Sequence, residues 1–297
     1  MKRKVDYKEL ESAALKAYSL FAQEISVPDF LFYVVRDQKN ELKKLLYRLS
    51  AEDVQKLLLG RGTCTDYSGR IFECSAYEYA YWTMDEHMCR FLEGYMDSNT
   101  KTEVLKRCFS IEESGLLYQH ASSIIRDSKH FDFKPLKTAL KEYIDGFDTW
   151  FEAGDWKAME DAWIKVGFAQ RNTPVYVAYE YCRPRRSFFP LPEFNEEYFP
   201  CSLVYTNPLT NKQGTWFPLN ESITNSLGYD FAIYRGDYTG AGQGERCNGP
   251  RPKHVKQTVM LDYQAICQLE KVRTSGLVAC LERLSSIEEA DDYAQLS

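Results

Sequence analysis

From residue 7 to about 170 the apolar residues recur three and four positions apart, the interval of helices with one face turned to a core. Leu10, Ala14, Ala17 and Phe21 form one such stripe, Leu42, Leu45, Leu46 and Leu49 a second, and Val104, Leu105 and Cys108 continue the pattern. N-cap chemistry marks their starts: Ser50 precedes Ala51-Glu52-Asp53, and Ser110-Ile111-Glu112-Glu113 has the form of a capping box. Leu116, Leu117, His120, Ala121, Ile124 and Ile125 then read as one more apolar helical face. Pro135 suits a first helical turn, followed by Leu136, Ala139, Leu140, Tyr143, Ile144 and Phe147. Trp156, Met159, Trp163 and Val166 predict a further helix. Within this bundle, Asp66-Tyr67-Ser68-Gly69-Arg70 followed by Ser75–Ala80 and Asp85–Leu92 has the rhythm of one ankyrin-like unit, a Gly turn and two short helices.

Past Asn172 the pattern changes. Pro174 to Tyr181 is β-branched and aromatic without a helical period, which predicts a strand. Ser202–Tyr205 and Thr215–Phe217, joined by the turn-rich Asn207–Gly214, read as a hairpin, and Phe231–Tyr234 as another strand. Glycines and prolines punctuate Gly236–Pro252, which reads as a functional loop. A helix around Val255–Leu284 closes the fold, and Ser285–Ser297 reads as a disordered acidic tail. The fold class is therefore α+β: a helical N-terminal region over residues 1–171, packed on a smaller antiparallel region with a long closing helix over 172–284, then the tail.

At 297 residues, 44% hydrophobic and 27% charged, the chain has the composition of a globular protein with a full core. A formal charge of −6 and a pI near 5.5 argue against nucleic acid as a partner. Met1-Lys2-Arg3-Lys4-Val5-Asp6 runs straight into an amphipathic stretch without the apolar segment of a signal peptide, and no run reaches the ~18 to 20 apolar residues of a membrane span. The nine cysteines include no CxxC pair, which suggests free thiols in a reducing compartment and no metal site; no cofactor is expected either.

Candidate chemistry lies in the second half. Cys182, Cys247 and His254 flank irregular segments, the residue types a thiol nucleophile and its base require. His87 and Cys89, two apart on one helix, point away from each other. Gly240-Ala241-Gly242-Gln243-Gly244 lacks the Lys of a phosphate loop. Arg183-Pro184-Arg185-Arg186, followed by Ser187-Phe188-Phe189, is the densest basic cluster. Its guanidinium groups suit carboxylates, either those of a partner or those of the nearby Glu193, Glu196 and Glu197.

Several phrases together resemble a module that recurs in effector proteins secreted through the Dot/Icm type IV system of intracellular bacteria. They are Thr65–Arg70 with Ala76–Ala80, Tyr179–Phe188, Leu227–Ala232 with Arg235-Gly236, and Glu270–Ser275. Where the module more usually carries Asp after Cys-Arg-Pro, this chain has Arg185. The segment Ile287–Asp292 is similar to the acidic C-terminal export signals of such substrates. The resemblance implies delivery into a eukaryotic host cytoplasm and carries no active site. The reading is thus an effector that binds a host protein through Arg183, Arg185, Arg186, Phe188 and Arg235. The alternative is a cysteine-dependent transferase or hydrolase using Cys182, Cys247 or His254.

Overall fold

The computed structural model describes residues 25–183, 186, 188–196, 201–207, 212–216, 232 and 254–295; for 205–207, 212–214, 254, 255 and 287–295 it describes the backbone alone. Three short helices open it: α1 (Val27–Val34), α2 (Lys39–Leu46) and α3 (Ala51–Leu59). Ser26 and Asp29 cap α1 reciprocally, and the Ser50 hydroxyl accepts the Asp53 N–H at 3.1 Å, as the sequence predicts for α3. Strands β1 (Gly62–Thr65) and β2 (Arg70–Cys74) follow, then α4 (Ala76–Thr83), α5 (Glu86–Glu93) and α6 (Ser98–Ser114). The α4–α5 pair is the helix-turn-helix expected of the ankyrin-like segment, with Met84 left-handed at the break. Its leading Gly turn, however, joins two strands.

Two further strands, β3 (Leu116–His120) and β4 (Ser123–Ser128), complete an antiparallel sheet in the order β1-β2-β3-β4. This corrects the helical face read over Leu116–Ile125, and Ser110 lies inside α6 rather than capping a helix. The cause is Gly115, at φ +70°, where a Cβ would stand 2.3 Å from the Asp127 carbonyl carbon. Only glycine lets the chain leave α6 and pass that close to β4. Ala121, at φ +53°, then turns the hairpin. On the covered face Phe72 meets Tyr79 edge-on at 5.3 Å and Trp82 at 4.9 Å, so α4 is the helix this sheet packs on.

The remaining elements are α7 (Lys134–Ala153), α8 (Trp156–Arg171), α9 (Val175–Cys182), the hairpin β5 (Val204–Asn207) and β6 (Lys212–Thr215), and α10 (His254–Gln295). Pro135 sits in the first turn of α7, and the hairpin forms where expected. The strand read at Pro174–Tyr181 is instead α9. All eight of its residues are buried, so it has no polar face to reveal a helical period, and packing overrides the β propensity of Val and Tyr. Helix α10 continues through the stretch read as an irregular tail, because Ser285–Gln295 contains neither Gly nor Pro. Phe231, Ile233, Tyr234 and the loop Gly236–Pro252 lie outside the described residues, as does the stripe from Leu10 to Phe21.

The fold class is α+β, with the four-stranded sheet set among the N-terminal helices. A single apolar core runs from Phe30 to Leu284, so the two regions share one interior. Helix α10 packs on α5, α6 and α7. The Asp66–Arg70 turn joins the sheet to the α8–α9 junction. Asp66 Oδ1 accepts the Ser68 and Arg70 N–H groups at 2.9 Å each, and its Oδ2 accepts Arg70 Nη1 at 2.7 Å. Gly69 supplies the left-handed residue of the turn. The Ser68 hydroxyl lies 3.3 and 3.2 Å from the Arg171 and Thr173 carbonyls, and Arg70 Nη2 donates to the Asn172 carbonyl. The last carbonyl of α8 and the two just beyond it are thereby satisfied by the turn.

Candidate functional site

Helix α9 ends in the basic segment, and its burial determines how that segment is held. The Glu180 carboxylate, 2% exposed, lies 3.4 Å from Arg183 Nη1 and 3.7 Å from Arg186 Nη2. Arg183 also reaches Glu196 at 3.7 Å, and Arg186 forms a two-pronged pair with the same Glu196. Burial raises the Glu180 carboxyl, with Arg186 and Arg183 opposing; the hydrogen bond from Arg186 lowers Glu196. These two arginines, 19% and 14% exposed, are therefore turned inward on the chain's own carboxylates.

Beneath the loop lies an aromatic base. Tyr181 stacks on Trp216 at 5.5 Å and meets Phe188 edge-on at 5.9 Å, and Phe188 meets Phe194 at 6.1 Å. Phe188 and Phe194 are each 1% exposed and Trp216 is fully buried. Between the two anchoring phenylalanines the chain rises into solvent: Phe189 is 58% and Leu191 44% exposed, with Pro190 exposed between them. An apolar tip thus stands on a base fixed by ion pairs and ring contacts. Proline restricts the backbone of such a tip and lowers the ordering cost of binding.

Behind α9 is a buried ionic constellation that the sequence did not suggest. Arg273 of α10, 1% exposed, places its guanidinium 5.0 Å from the Tyr176 ring centroid. Asp37, Lys39, Asp85 and His87 share its field, with Lys39 Nζ 3.0 Å from Asp37. Burial, reinforced by Asp85 and opposed by Lys39 and Arg273, pushes the Asp37 carboxyl up to about 7. Burial and then Arg273 bring the His87 imidazole down to about 4, so it is neutral at physiological pH. Cys201 is an exposed residue whose thiol turns in to donate to the Asp37 carbonyl at 3.5 Å. Desolvation of that sulfur and the Asp37 carboxylate push it up to about 12, away from the thiolate a nucleophile needs.

Cys182 is 5% exposed, at the end of α9 within the apolar core. Phe188 is a base residue of the loop rather than its tip. Arg185, Arg235 and Cys247 lie outside the described residues, and His254 is described only as the first residue of α10. Glu196, one of the carboxylates the sequence offers the arginines, does pair with Arg183 and Arg186. Glu180 joins them only because Val175–Cys182 is a helix, which sets it one turn before Arg183. Asp37, Asp85, His87 and Arg273 are too far apart in sequence for spacing to unite them; the one local signal is the run Asp85-Glu86-His87 beside an apolar helix. Among the described residues no three metal-ligating side chains gather, and no helix is long and apolar enough to cross a membrane.

A family model described as the CBUA0006 C-terminal domain matches residues 135–284, half of the chain, from the start of α7 into α10. The loop, its aromatic base and Arg273 all fall within that span. The chain is also similar to the uncharacterized protein CBUA0006 of Coxiella burnetii (strain RSA 493 / Nine Mile phase I). They are 34% identical over 273 residues, 86% of this chain and 75% of the relative. No solved structure matches.

Proposed function

We propose that this chain, which belongs to the CBUA0006 family, is a type IV secreted effector of the Dot/Icm kind that binds a host protein in the eukaryotic cytoplasm. The observation that carries the binding reading is the loop after α9, where exposed Phe189 and Leu191 are held up between two fully packed phenylalanines. Apolar anchors on a preorganised base are what interfaces use for their energetic centre. Arg183 and Arg186 serve that surface by pinning the loop through Glu180 and Glu196. Delivery by a type IV system rests on the motif resemblance, with the acidic end of α10 as export signal.

Two measurements test the proposal. Affinity capture from eukaryotic cytosol with the wild-type chain and with Phe189→Ser/Leu191→Ser, each captured partner then weighed intact, is expected to yield a stoichiometric, unmodified partner lost in the variant. A partner carrying a new covalent mass that disappears in Cys182→Ala, Cys247→Ala or His254→Ala would replace the binding reading with the cysteine-dependent enzyme. Translocation of a reporter fusion from a Dot/Icm-competent bacterium, abolished by removing residues 285–297, is expected; retention of the intact fusion in the bacterium would refute the secretion reading.

A further inference from the structure

Helix α2 turns its apolar side to the core and a cationic side to water. Leu42 and Leu46 are buried, and Leu45 and Leu49 half-buried. At 3.6 residues per turn, Asn40, Lys43, Lys44, Tyr47 and Arg48 fall within about 140° of the opposite surface, and all five are exposed. The Tyr47 N–H donates to the Lys43 carbonyl and the Arg48 N–H to the Leu45 carbonyl, each at 3.1 Å, so the turn carries these two residues onto the same face. Tyr47, 90% exposed, projects between Lys43 and Lys44. Together with Glu41 these residues line an open hollow of about 600 Å³. Glu41 accepts Lys44 Nζ at 2.7 Å, whereas among the described residues neither Lys43 nor Arg48 has an ion-pair partner.

We propose that this face docks on an anionic phospholipid surface, with Lys43, Lys44 and Arg48 meeting lipid phosphates and the Tyr47 ring entering the headgroup layer. Charge complementarity selects the occupant. At a formal charge of −6 the chain as a whole is repelled by an anionic bilayer, so contact depends on a local cationic face, which also sets the orientation. Ammonium and guanidinium groups bind phosphate oxygens strongly, and an open hollow admits a broad surface without a closed pocket. A tyrosine ring, apolar in its body and polar at its tip, suits the depth of the headgroups. Because the leucines of α2 are committed to the core, the helix has no apolar side left to sink into the bilayer. The contact is therefore electrostatic and salt-sensitive, each basic residue contributing about fivefold in affinity. It rests neither on the loop after α9 nor on the route of delivery.

The test is co-sedimentation of the full-length chain with vesicles of phosphatidylserine and phosphatidylcholine in equal parts, beside vesicles of phosphatidylcholine alone. Binding is expected to the first only, and to vanish at about 1 M salt, where screening acts within about 3 Å. Lys43→Ala/Arg48→Ala, at two exposed positions, is expected to weaken binding about 25-fold with native circular dichroism. Lys141→Ala/Lys157→Ala makes the same change of net charge on α7 and α8 and is expected to leave binding in place. Tyr47→Ser is expected to weaken binding without altering its salt dependence, since it removes a ring and no charge. Equal binding to both vesicles, or equal losses in the two double variants, would overturn the proposal. So would a chain that ignores the anionic vesicles and instead binds polyglutamate through Lys43 and Arg48, which would assign the face to an acidic protein.

Discussion

Replacing Arg70 with Met isolates the buried pair that holds the sheet to the α8–α9 junction. The guanidinium is 4% and the Asp66 carboxylate 3% exposed, so the pair belongs with buried ion pairs rather than surface ones. Methionine keeps much of the aliphatic stem but loses the guanidinium carbon that lies 5.5 Å from the Trp82 ring centroid and 5.4 Å from that of Phe131. What it removes is the charge facing Asp66 and the donor to the Asn172 carbonyl. Asp66 retains its two backbone N–H bonds but no cation. Breaking one side of a buried pair costs about 3–5 kcal/mol, two to four decades in the unfolding constant at about 1.4 kcal/mol per decade. Urea unfolding followed by circular dichroism is expected to show a lower midpoint with unchanged slope. Asp66→Asn/Arg70→Met is expected to cost less than the sum of the single variants, since no uncompensated charge is left behind. As a control, Lys56→Ala, which breaks the surface pair with Glu52, should leave the midpoint in place. A loss below about 1 kcal/mol for Arg70→Met, the worth of a solvated pair, would refute the reasoning.

The interior constellation predicts two opposed pH dependences. The raised Asp37 carboxyl makes the folded state bind the extra proton between about 4 and 7, so its contribution to stability falls as pH rises. The lowered His87 makes the unfolded state bind more between about 4 and 6.5, so its contribution rises with pH over that window. The two offset in the wild type. His87→Gln should therefore lose stability from pH 4 to 7 relative to wild type, and Asp37→Asn should gain it, each by at most about 1.4 kcal/mol per pH unit; parallel profiles for all three proteins would dismiss the assignment. Phe188→Ala, at the fully buried base of the loop, should cost about 3–5 kcal/mol in chemical denaturation, whereas Phe189→Ser should leave the midpoint unchanged and abolish partner capture. Gly115→Ala places a Cβ at positive φ against Asp127 and should destabilise the chain by more than about 1 kcal/mol in thermal melts.

Amphipathic helices were legible where a one-sided apolar stripe recurs over two or more turns; the two-turn α1, Val27–Val34, was missed although Pro28, Asp29 and Phe32 face water. Helices α2, α6, α7 and α8 show their apolar stripes because solvent on the other face enforces a polar alternation at the helical period, and Ser50 and Pro135 mark the starts of α3 and α7. Where an element is buried all round, that alternation vanishes. Helix α9 consequently read as a strand, and only its packing decided otherwise. The β3–β4 hairpin failed for a different reason: in an edge hairpin with a wet outer face, Leu116, Leu117, Ile124 and Ile125 fit a helical spacing as well as a strand one, and Gly115 was the overlooked signal.

The same division governs the candidate site. Local sequence identified the arginine cluster, the aromatics beside it and Glu196 within reach, because residues a few positions apart in an irregular segment remain neighbours in space. It could not distinguish anchor from tip between Phe188 and Phe189, since that depends on which ring meets Tyr181 and Phe194. Nor could spacing bring Arg273 to Asp37 and His87, joined across most of the chain. Sequence by itself determined the α+β class, most helix starts and the location of the loop, all set by short-range periodicity and capping. The tertiary structure alone decided the charge pairs of the interior, because the field at a buried group comes from whichever distant side chains the packed core places around it.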